Sequence, residues 1–116
     1  MFSLRQSVLA IAVLSIGIVN ATTGDATWYT PNGNYGACGT KLQNSDNVVA
    51  LSSAKYDAGA HCGKRIKVSY KGKSVDATVR DLCPGCGTNG IDLSSSAFQE
   101  LAGLDVGRIQ VTWNYE

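Results

Sequence analysis

The sequence predicts a small, mostly β protein, most simply a closed barrel with a helix across one end. Five or six short stretches alternate apolar and polar residues, which is the period of strands that have one buried face. A single stretch has convincing helical spacing, and 13 glycines are present, most of them in the segments between the predicted strands. A β-sandwich is the alternative arrangement of the same strands.

Two strands are predicted in the first half of the domain. Residues 24–30, GDATWYT, alternate in polarity and are rich in residue types that favour strands. Residues 48–51 form a short apolar strand. Ser52 or Ser53 is the predicted N-cap of a single helical turn over residues 54–58. The segment between the two strands is rich in Gly, Asn and Pro and is predicted to be a loop.

A hairpin, a helix and a closing strand are predicted in the second half. Residues 66–70 and 74–79 alternate on either side of a Lys-Gly-Lys turn. Ser94 is the predicted N-cap of a helix over 95–102. Residues 108–115 contain neither Pro nor Gly, which is typical of a central strand. The residues of this strand that we expect to point inward are Ile109, Val111, Trp113 and Tyr115.

The first 21 residues have the pattern of a secretory signal peptide. A positive charge at Arg5 precedes an apolar run over 8–19, and small residues end at Ala21. An apolar run of roughly a dozen residues is too short to cross a bilayer, which needs about 20. We therefore expect cleavage after Ala21, a secreted, extracellular domain at 22–116, and no membrane association after cleavage.

The charge of the predicted domain is balanced. Of the ten basic residues of the chain, Arg5 lies in the signal segment, which leaves nine against nine acidic residues. A neutral domain gives no electrostatic reason to expect nucleic acid or an anionic membrane as partner. An uncharged polymer is the more natural partner, and we expect a monomer.

All four cysteines lie in the predicted secreted domain, so two disulfides are expected. Four cysteines allow three pairings, and we favour Cys38 with Cys62 and Cys83 with Cys86. The first closes a loop of about 25 residues and stabilises by roughly 3.5 kcal/mol on the chain-entropy model. A redox site at the CPGC turn is disfavoured because no βαβ pattern surrounds it. A zinc site with His61 is disfavoured because the thiols are better used as disulfides, and no metal or cofactor is expected.

The stretch from 75 to 96 has the strongest functional signal. A strand ends at Asp81, a CPGC turn and a Gly-rich loop follow, and Asp92 comes just before the predicted helix. Two acids thus flank a loop that is pinned by thiols, and we expect both to face one cleft. His61 is expected to be structural. The basic residues near the hairpin are expected to form a solvated face; they are Lys64, Arg65, Lys67, Lys71 and Lys73.

Seven short motifs occur in a characteristic order: ATWY, ACG, HCGK, VRDLCPGC, GIDLS, AFQEL and GRIQVTW. With these motifs the chain resembles rare lipoprotein A-like double-psi β-barrels, and among them the single-domain, secreted relatives of expansins called loosenin-like proteins. The resemblance covers residues 24–115. It implies a six-stranded double-psi β-barrel with one or two short helices and an open groove across it.

The resemblance also implies roles for individual residues. Asp92 matches the aspartate that is most closely tied to wall loosening in expansin-like proteins, Asp81 matches the aspartate that closes the preceding strand, and Thr27 matches the threonine of the first strand. The aromatic residues that we expect to stack on sugar rings are Tyr29, Tyr35 and Tyr56, with Trp28 as a residue that equally fits the core. From the residue alone, Asp92 also fits a turn position that satisfies backbone N–H groups.

Cleavage of a glycosidic bond normally needs an acid and a second carboxylate that acts as base or nucleophile. Endoglucanases that share this barrel have their base on the first strand, near Thr30 of this chain, and Asp25 is at the wrong end of that strand. A lone acid donates a hydrogen bond but does not activate water. The expected function is therefore non-hydrolytic loosening of glucan or chitin contacts, although whether the protein is an enzyme stays open.

Two alternatives remain at this point. One is a secreted protein-binding effector or protease inhibitor on the same barrel, as in the kiwellin-like and papain-inhibitor relatives. The other is a weak polysaccharide hydrolase or lytic enzyme. An open groove with Asp92 exposed favours sugar, whereas a filled groove with exposed apolar loops favours a protein partner.

Overall fold

The computed structural model describes residues 21–116, so the predicted signal segment lies outside the described residues except for Ala21. No helix within 21–116 has the length and apolar character that a membrane crossing requires. The strands are β1 Thr22–Tyr29, β2 Val48–Ser52, β3 Arg65–Tyr70, β4 Lys73–Cys83, β5 Ile91–Ser94 and β6 Ile109–Tyr115. The helices are α1 Ser53–Tyr56 and α2 Ser95–Gln99, and 3-10 turns lie at Asp57–Gly59 and Leu104–Val106.

The six strands close into a barrel in the order β1-β5-β2-β4-β3-β6. β1 pairs with β5 in parallel, and β2 pairs with β4 in parallel, whereas the other four pairs are antiparallel. This confirms the predicted six-stranded double-psi β-barrel over the β-sandwich. β6 lies between β1 and β3, as expected for a central strand.

The barrel interior is filled by the inward residues of the alternating strands. Ile109, Val111 and Trp113 of β6 are buried, as the sequence predicted. Tyr115, which was predicted to lie inside, is 36% exposed. It continues the alternation, but it is in register with Ile66, the second residue of β3, at the open end of the barrel. There its ring stacks on His61, with ring centroids 5.0 Å apart.

Two element ends differ from the prediction. β4 continues through Asp81 to Cys83, because β2 supplies backbone partners as far as the Ser52–Cys83 pair. The predicted strand end at Asp81 was therefore wrong. α2 stops at Gln99, and the Ser94 hydroxyl accepts from the Val48 N–H at 3.1 Å without capping the helix.

Other local predictions are confirmed. The Ser52 side chain caps α1 by accepting from the Lys55 N–H. The hairpin between β3 and β4 turns at Lys71 and Gly72, which have positive φ of 45° and 83°. Both favoured disulfides are present, Cys38 with Cys62 and Cys83 with Cys86.

Candidate functional site

Four residues from four neighbouring strands lie side by side on the outer surface of the barrel. Thr27 of β1 is in register with Asp92 of β5, Asp92 with Ala50 of β2, and Ala50 with Asp81 of β4. The neighbours of this row, such as Val49 and Leu93, are buried in the core, so the row itself points outward. Since strands are about 4.8 Å apart, the two aspartates face one surface with a single strand between them.

Asp92 is a half-buried carboxyl group with a single hydrogen-bond donor within residues 21–116. The Thr27 hydroxyl donates to its Oδ1 at 2.9 Å. Burial raises the pKa of Asp92, the Thr27 hydrogen bond opposes that shift, and the negative charge of Asp81 adds to it. The side chain does not satisfy backbone N–H groups, which was the structural alternative for this residue. Its proton is therefore retained to a higher pH than that of an ordinary aspartate.

Asp81 lies in different surroundings, since both of its oxygens are engaged. The backbone N–H groups of Ala37 and Leu82 donate to Oδ1, each at 2.9 Å. The Tyr29 hydroxyl donates to Oδ2, also at 2.9 Å. Asp81 acts as an acceptor in all three contacts, and it ties the loop after β1 to the end of β4.

Tyr29 extends across the surface of two strands. Its backbone pairs with Ser94 of β5, yet its hydroxyl reaches Asp81 on β4, with β2 in between. Burial raises the pKa of the Tyr29 hydroxyl well above its ordinary value, and the hydrogen bond to Asp81 and the charges of Asp81 and Asp92 add to the shift. The hydroxyl therefore remains protonated and donates.

Ala50 is the member of the row that the sequence did not reveal. It lies between the two aspartates and is 2% exposed. In the sequence it is one residue of a short apolar strand, and its small size beside valine and leucine is its only signal. A larger side chain at this position would fill the space between the two acids.

A cavity lies on each side of this row in the direction of the strands. One, of about 350 Å³, is lined by Thr27, Cys83 and the loop over 85–90. The other, of about 190 Å³, is lined by Tyr29, Asp81 and residues of the loop after β1, including Tyr35. β1 and β4 run in opposite directions, so the steps from Thr27 to Tyr29 and from Cys83 to Asp81 point the same way along the barrel. We refer to the row and the two cavities that flank it together as the Asp92 groove.

The loop over 84–90 is held in place by contacts with the barrel. The Ser52 hydroxyl donates to the Thr88 carbonyl at 2.6 Å, and the indole N–H of Trp113 donates to the Asn89 carbonyl at 3.1 Å. A Cβ atom at Gly24 would collide with that same Asn89 carbonyl. Glycine on β1 thus permits the loop to approach, and the loop forms a fixed wall of the groove.

The opposite wall is the loop after β1, which is also ordered by its own contacts. Asn32 has a positive φ of 54°, and its backbone N–H donates to the Asn44 side-chain oxygen at 2.7 Å. The Asn44 amide donates back to the side chain of Asn32 at 2.9 Å. Tyr35 is presented from this loop with 73% of its surface exposed.

Of the aromatic residues that were considered as sugar-binding residues, some line the groove and others pack elsewhere. Tyr29 and Tyr35 line the Asp92 groove. Trp28 packs on the core, and its indole N–H donates to the Leu104 carbonyl at 2.9 Å. The Tyr56 ring packs partly buried beside the Cys38–Cys62 disulfide, with its hydroxyl 3.9 Å and 3.7 Å from the two Sγ atoms. Tyr56 lines neither groove cavity.

Neither Asp25, the acid of β1, nor Thr30, which follows this strand, provides a free carboxylate beside Asp92. Asp25 accepts from the Arg108 guanidinium at 3.3 Å. Thr30 is exposed, and its hydroxyl accepts from the Asn32 amide at 3.2 Å.

The family model described as lytic transglycolase matches residues 21–113. The chain belongs to this family of rare lipoprotein A-like double-psi β-barrels. A papain inhibitor from Streptomyces mobaraensis is 39% identical over 112 residues, which cover 90% of this chain and 78% of that protein. An EG45-like domain containing protein from Citrus jambhiri is 33% identical over 124 residues, which cover 92% of this chain and 94% of that protein.

Solved structures of the family superpose closely on this barrel. The Streptomyces papain inhibitor has a TM-score of 0.73 at 39% identity, over 82% of this chain and 93% of that one. A Clavibacter michiganensis expansin, an aspartate-to-asparagine variant in complex with cellohexaose, has a TM-score of 0.77 at 29% identity. That match covers 83% of this chain but 50% of the expansin. The predicted resemblance to expansin-like barrels is thus confirmed.

Proposed function

We propose that this chain is a secreted protein that binds a neutral cell-wall polysaccharide in the Asp92 groove and weakens contacts between polymer chains without hydrolysing them. The observation that carries the proposal is the unequal state of the two acids. Asp92 has a raised pKa and one engaged oxygen, whereas Asp81 accepts three hydrogen bonds from the protein.

This difference favours binding over hydrolysis. Activation of water requires a carboxylate that is free to accept a proton. Both oxygens of Asp81 are engaged, and Asp25 is paired with Arg108. A protonated Asp92 donates a hydrogen bond to a sugar oxygen, and the rings of Tyr29 and Tyr35 provide faces for pyranose rings. A polymer bound in this way exchanges hydrogen bonds with its neighbours for hydrogen bonds with the protein.

The comparison with the Clavibacter expansin supports the class of ligand. That expansin was solved with cellohexaose, and half of its chain superposes on this barrel. By this similarity we propose a β-glucan or a related neutral glycan, such as chitin, as ligand.

A pull-down with insoluble polymer tests the proposal. Wild type is expected to sediment with cellulose or chitin at acidic pH and to bind at least about threefold more weakly once Asp92 is ionised at higher pH, whereas Asp92→Asn, whose amide donates at every pH, is expected to bind equally over that range. Glu100→Gln, which also removes one carboxylate but at an exposed helix end, is the control. The same pH dependence of binding in wild type and in Asp92→Asn would contradict the assigned role of Asp92.

The same samples test cleavage. The family model that matches this chain is described as lytic transglycolase, so peptidoglycan is tested together with cellulose and chitin. Soluble sugar released catalytically by wild type, and abolished in Asp92→Asn, would replace the non-hydrolytic part of the proposal with a lytic one.

A second candidate function is protein binding, as in a protease inhibitor. It is favoured by the 39% identity with the papain inhibitor and by the exposed Tyr35 on an ordered loop. Inhibition of papain by wild type, weakened by Tyr35→Ala but not by Asp92→Asn, would assign the loop after β1, and not Asp92, as the functional part of this surface. No inhibition at micromolar protein, together with polymer binding, would remove this candidate.

A further inference from the structure

A cavity of about 810 Å³ lies outside the Asp92 groove, on the outer surface of β1, β6 and β3. The hairpin turn at 71–73 forms one rim, and residues 106–108 form the other. We call it the basic cavity. Its volume is within the range of sites that bind small molecules or a few sugar units.

The floor of the basic cavity is polar and uncharged. Thr23 of β1 is in register with Thr112 of β6, and Thr112 with Ser69 of β3, so three hydroxyl groups lie in a row across the sheet. Gln110 of β6 adds an amide. Within residues 21–116 these four side chains have no hydrogen-bond partner, and hydroxyl and amide groups both donate and accept.

The rim carries positive charge. Lys67, Lys71, Lys73 and Arg108 line the cavity, and no acidic residue of the described chain lines it. Arg108 is paired with Asp25, and Asp76 lies opposite Lys67 on β4. Neither Lys71 nor Lys73 takes part in an ion pair within 21–116. Since the predicted secreted domain has balanced charge overall, this cluster is a local separation of charge.

The basic cavity adjoins the Asp92 groove along β1. The outward residues of β1 follow one another from cavity to cavity: Thr23 lines the basic cavity, Asp25 and Thr27 the cavity of about 350 Å³, and Tyr29 the cavity of about 190 Å³. Arg108 lines both the basic cavity and its neighbour. From Thr23 to Tyr29 the strand rises by about 20 Å, which is long enough to follow a bound chain over several sugar units.

We infer that the basic cavity is a second subsite, which binds a carboxylate-bearing (uronic acid) sugar of a polysaccharide whose neutral part occupies the Asp92 groove. The inference rests on the proposed function and adds an acidic substituent to the ligand. Lysine ammonium groups on the rim attract the carboxylate, and the hydroxyl floor binds the sugar hydroxyls. A nucleic acid or a membrane surface would require a wider basic face than a few lysines on a neutral domain.

Binding to polygalacturonate and to its methyl-esterified form tests this inference, because the two polymers share a backbone and the methyl ester removes the charge of the carboxylate. Wild type is expected to bind the de-esterified polymer about tenfold more tightly at low salt, and high NaCl is expected to remove that preference. The double variant Lys71→Asn, Lys73→Gln is expected to lose about three- to tenfold in affinity for the de-esterified polymer only. Asparagine is chosen at 71 because this residue has positive φ.

The double variant Lys55→Gln, Lys64→Gln is the control, because it removes the same charge from positions that do not line the basic cavity. An equal loss in both double variants, or no preference of wild type for the de-esterified polymer, would overturn the inference. The cellulose pull-down separates this failure from failure of the proposed function. If wild type does not bind cellulose or chitin but its binding of polygalacturonate depends on Lys71 and Lys73, the neutral groove proposal fails and the basic subsite is supported.

Discussion

Asp92 and Asp81 carry the same side chain on the same face of the barrel, but their neighbours give them different chemistry. Asp81 accepts from Tyr29, Ala37 and Leu82, and so acts as a structural acceptor. Asp92 accepts from Thr27, and burial raises its pKa. At the scale of the residue, function is therefore expected from the acid with fewer partners.

The raised pKa of Asp92 predicts how stability depends on pH. The folded state holds the proton more tightly than the unfolded chain, whose aspartates titrate near 3.9. The stabilisation from this group is present below that value and is lost as pH rises through the pKa in the folded state. Asp92→Asn does not titrate, so its free energy of unfolding relative to wild type should increase from about pH 3 to pH 7.

Urea denaturation of both proteins at several pH values measures this difference. Titrating groups that do not interact with Asp92 cancel in the comparison. A difference that is constant over the range, or that falls with pH, would show that burial does not control Asp92.

Tyr29→Phe tests the contact that crosses the groove. The substitution removes the donor to Asp81 Oδ2 and leaves a carboxylate oxygen with one fewer partner. We expect the free energy of unfolding to fall by about 1.5 kcal/mol, the lower end for a hydrogen bond to a charged group. Tyr35→Phe, at an exposed ring, should change it by less than about 0.5 kcal/mol. Equal effects in the two variants, measured by urea denaturation, would argue against the Tyr29–Asp81 contact.

At the scale of the element, β1 organises the functional surface. Its inward residue Ala26 packs in the core, and its outward residues line the Asp92 groove and the basic cavity. Gly24 lies where the Asn89 carbonyl comes close to the strand. One strand thus positions the ligand surface and also admits the loop that walls it.

Gly24→Ala should disrupt this approach. The added Cβ collides with the Asn89 backbone, which has to move, and overpacking of this kind costs about 1–3 kcal/mol. Gly85→Ala lies in the same loop, but no atom is within 4 Å of its added Cβ, so it should be nearly neutral. Thermal or urea denaturation compares the two variants. Similar stability of both would show that the loop does not pack on β1 as described.

At the scale of the whole molecule, a hydrogen bond and a disulfide join the loop over 84–90, which walls the groove, to the barrel. Trp113 is 1% exposed inside the barrel, and its indole N–H reaches the Asn89 carbonyl of the groove wall. The Cys83–Cys86 disulfide holds the same loop at its other end. The shape of the groove therefore depends on the closed barrel and not on the loop alone.

Trp113→Phe tests this connection. It leaves a buried aromatic ring but removes the donor to Asn89, and we expect a loss of about 2–3 kcal/mol from the cavity and the lost hydrogen bond together. Hydrogen exchange at the Gly90 amide, which donates to the Gly87 carbonyl, should increase by more than the global loss of stability explains. An increase equal to the global loss would indicate that the loop is not separately anchored by Trp113.

Much of the fold was predictable because it depends on local order. Alternation along the chain predicted β1, β6 and the hairpin of β3 and β4, and a short apolar run predicted β2. The Lys-Gly-Lys sequence predicted the hairpin turn at Lys71 and Gly72. Predictions that were wrong lie where a distant strand intervenes. β4 extends past Asp81 because β2 pairs with it, and Tyr115 is exposed because the barrel ends beside it.

Residue order alone was enough to predict five of the six strands, all but β5, to place both acids near a cystine-bound loop, and to show that the predicted secreted domain is uncharged overall. Which carboxylate is engaged depends on the folded barrel, because the donors to Asp81 come from residues as far as 52 positions away along the chain. The tertiary structure also placed Ala50 between the acids and gathered the lysines around one cavity. The physical reason is that residue order sets the period of each strand, whereas register and contacts between strands exist only once the barrel closes.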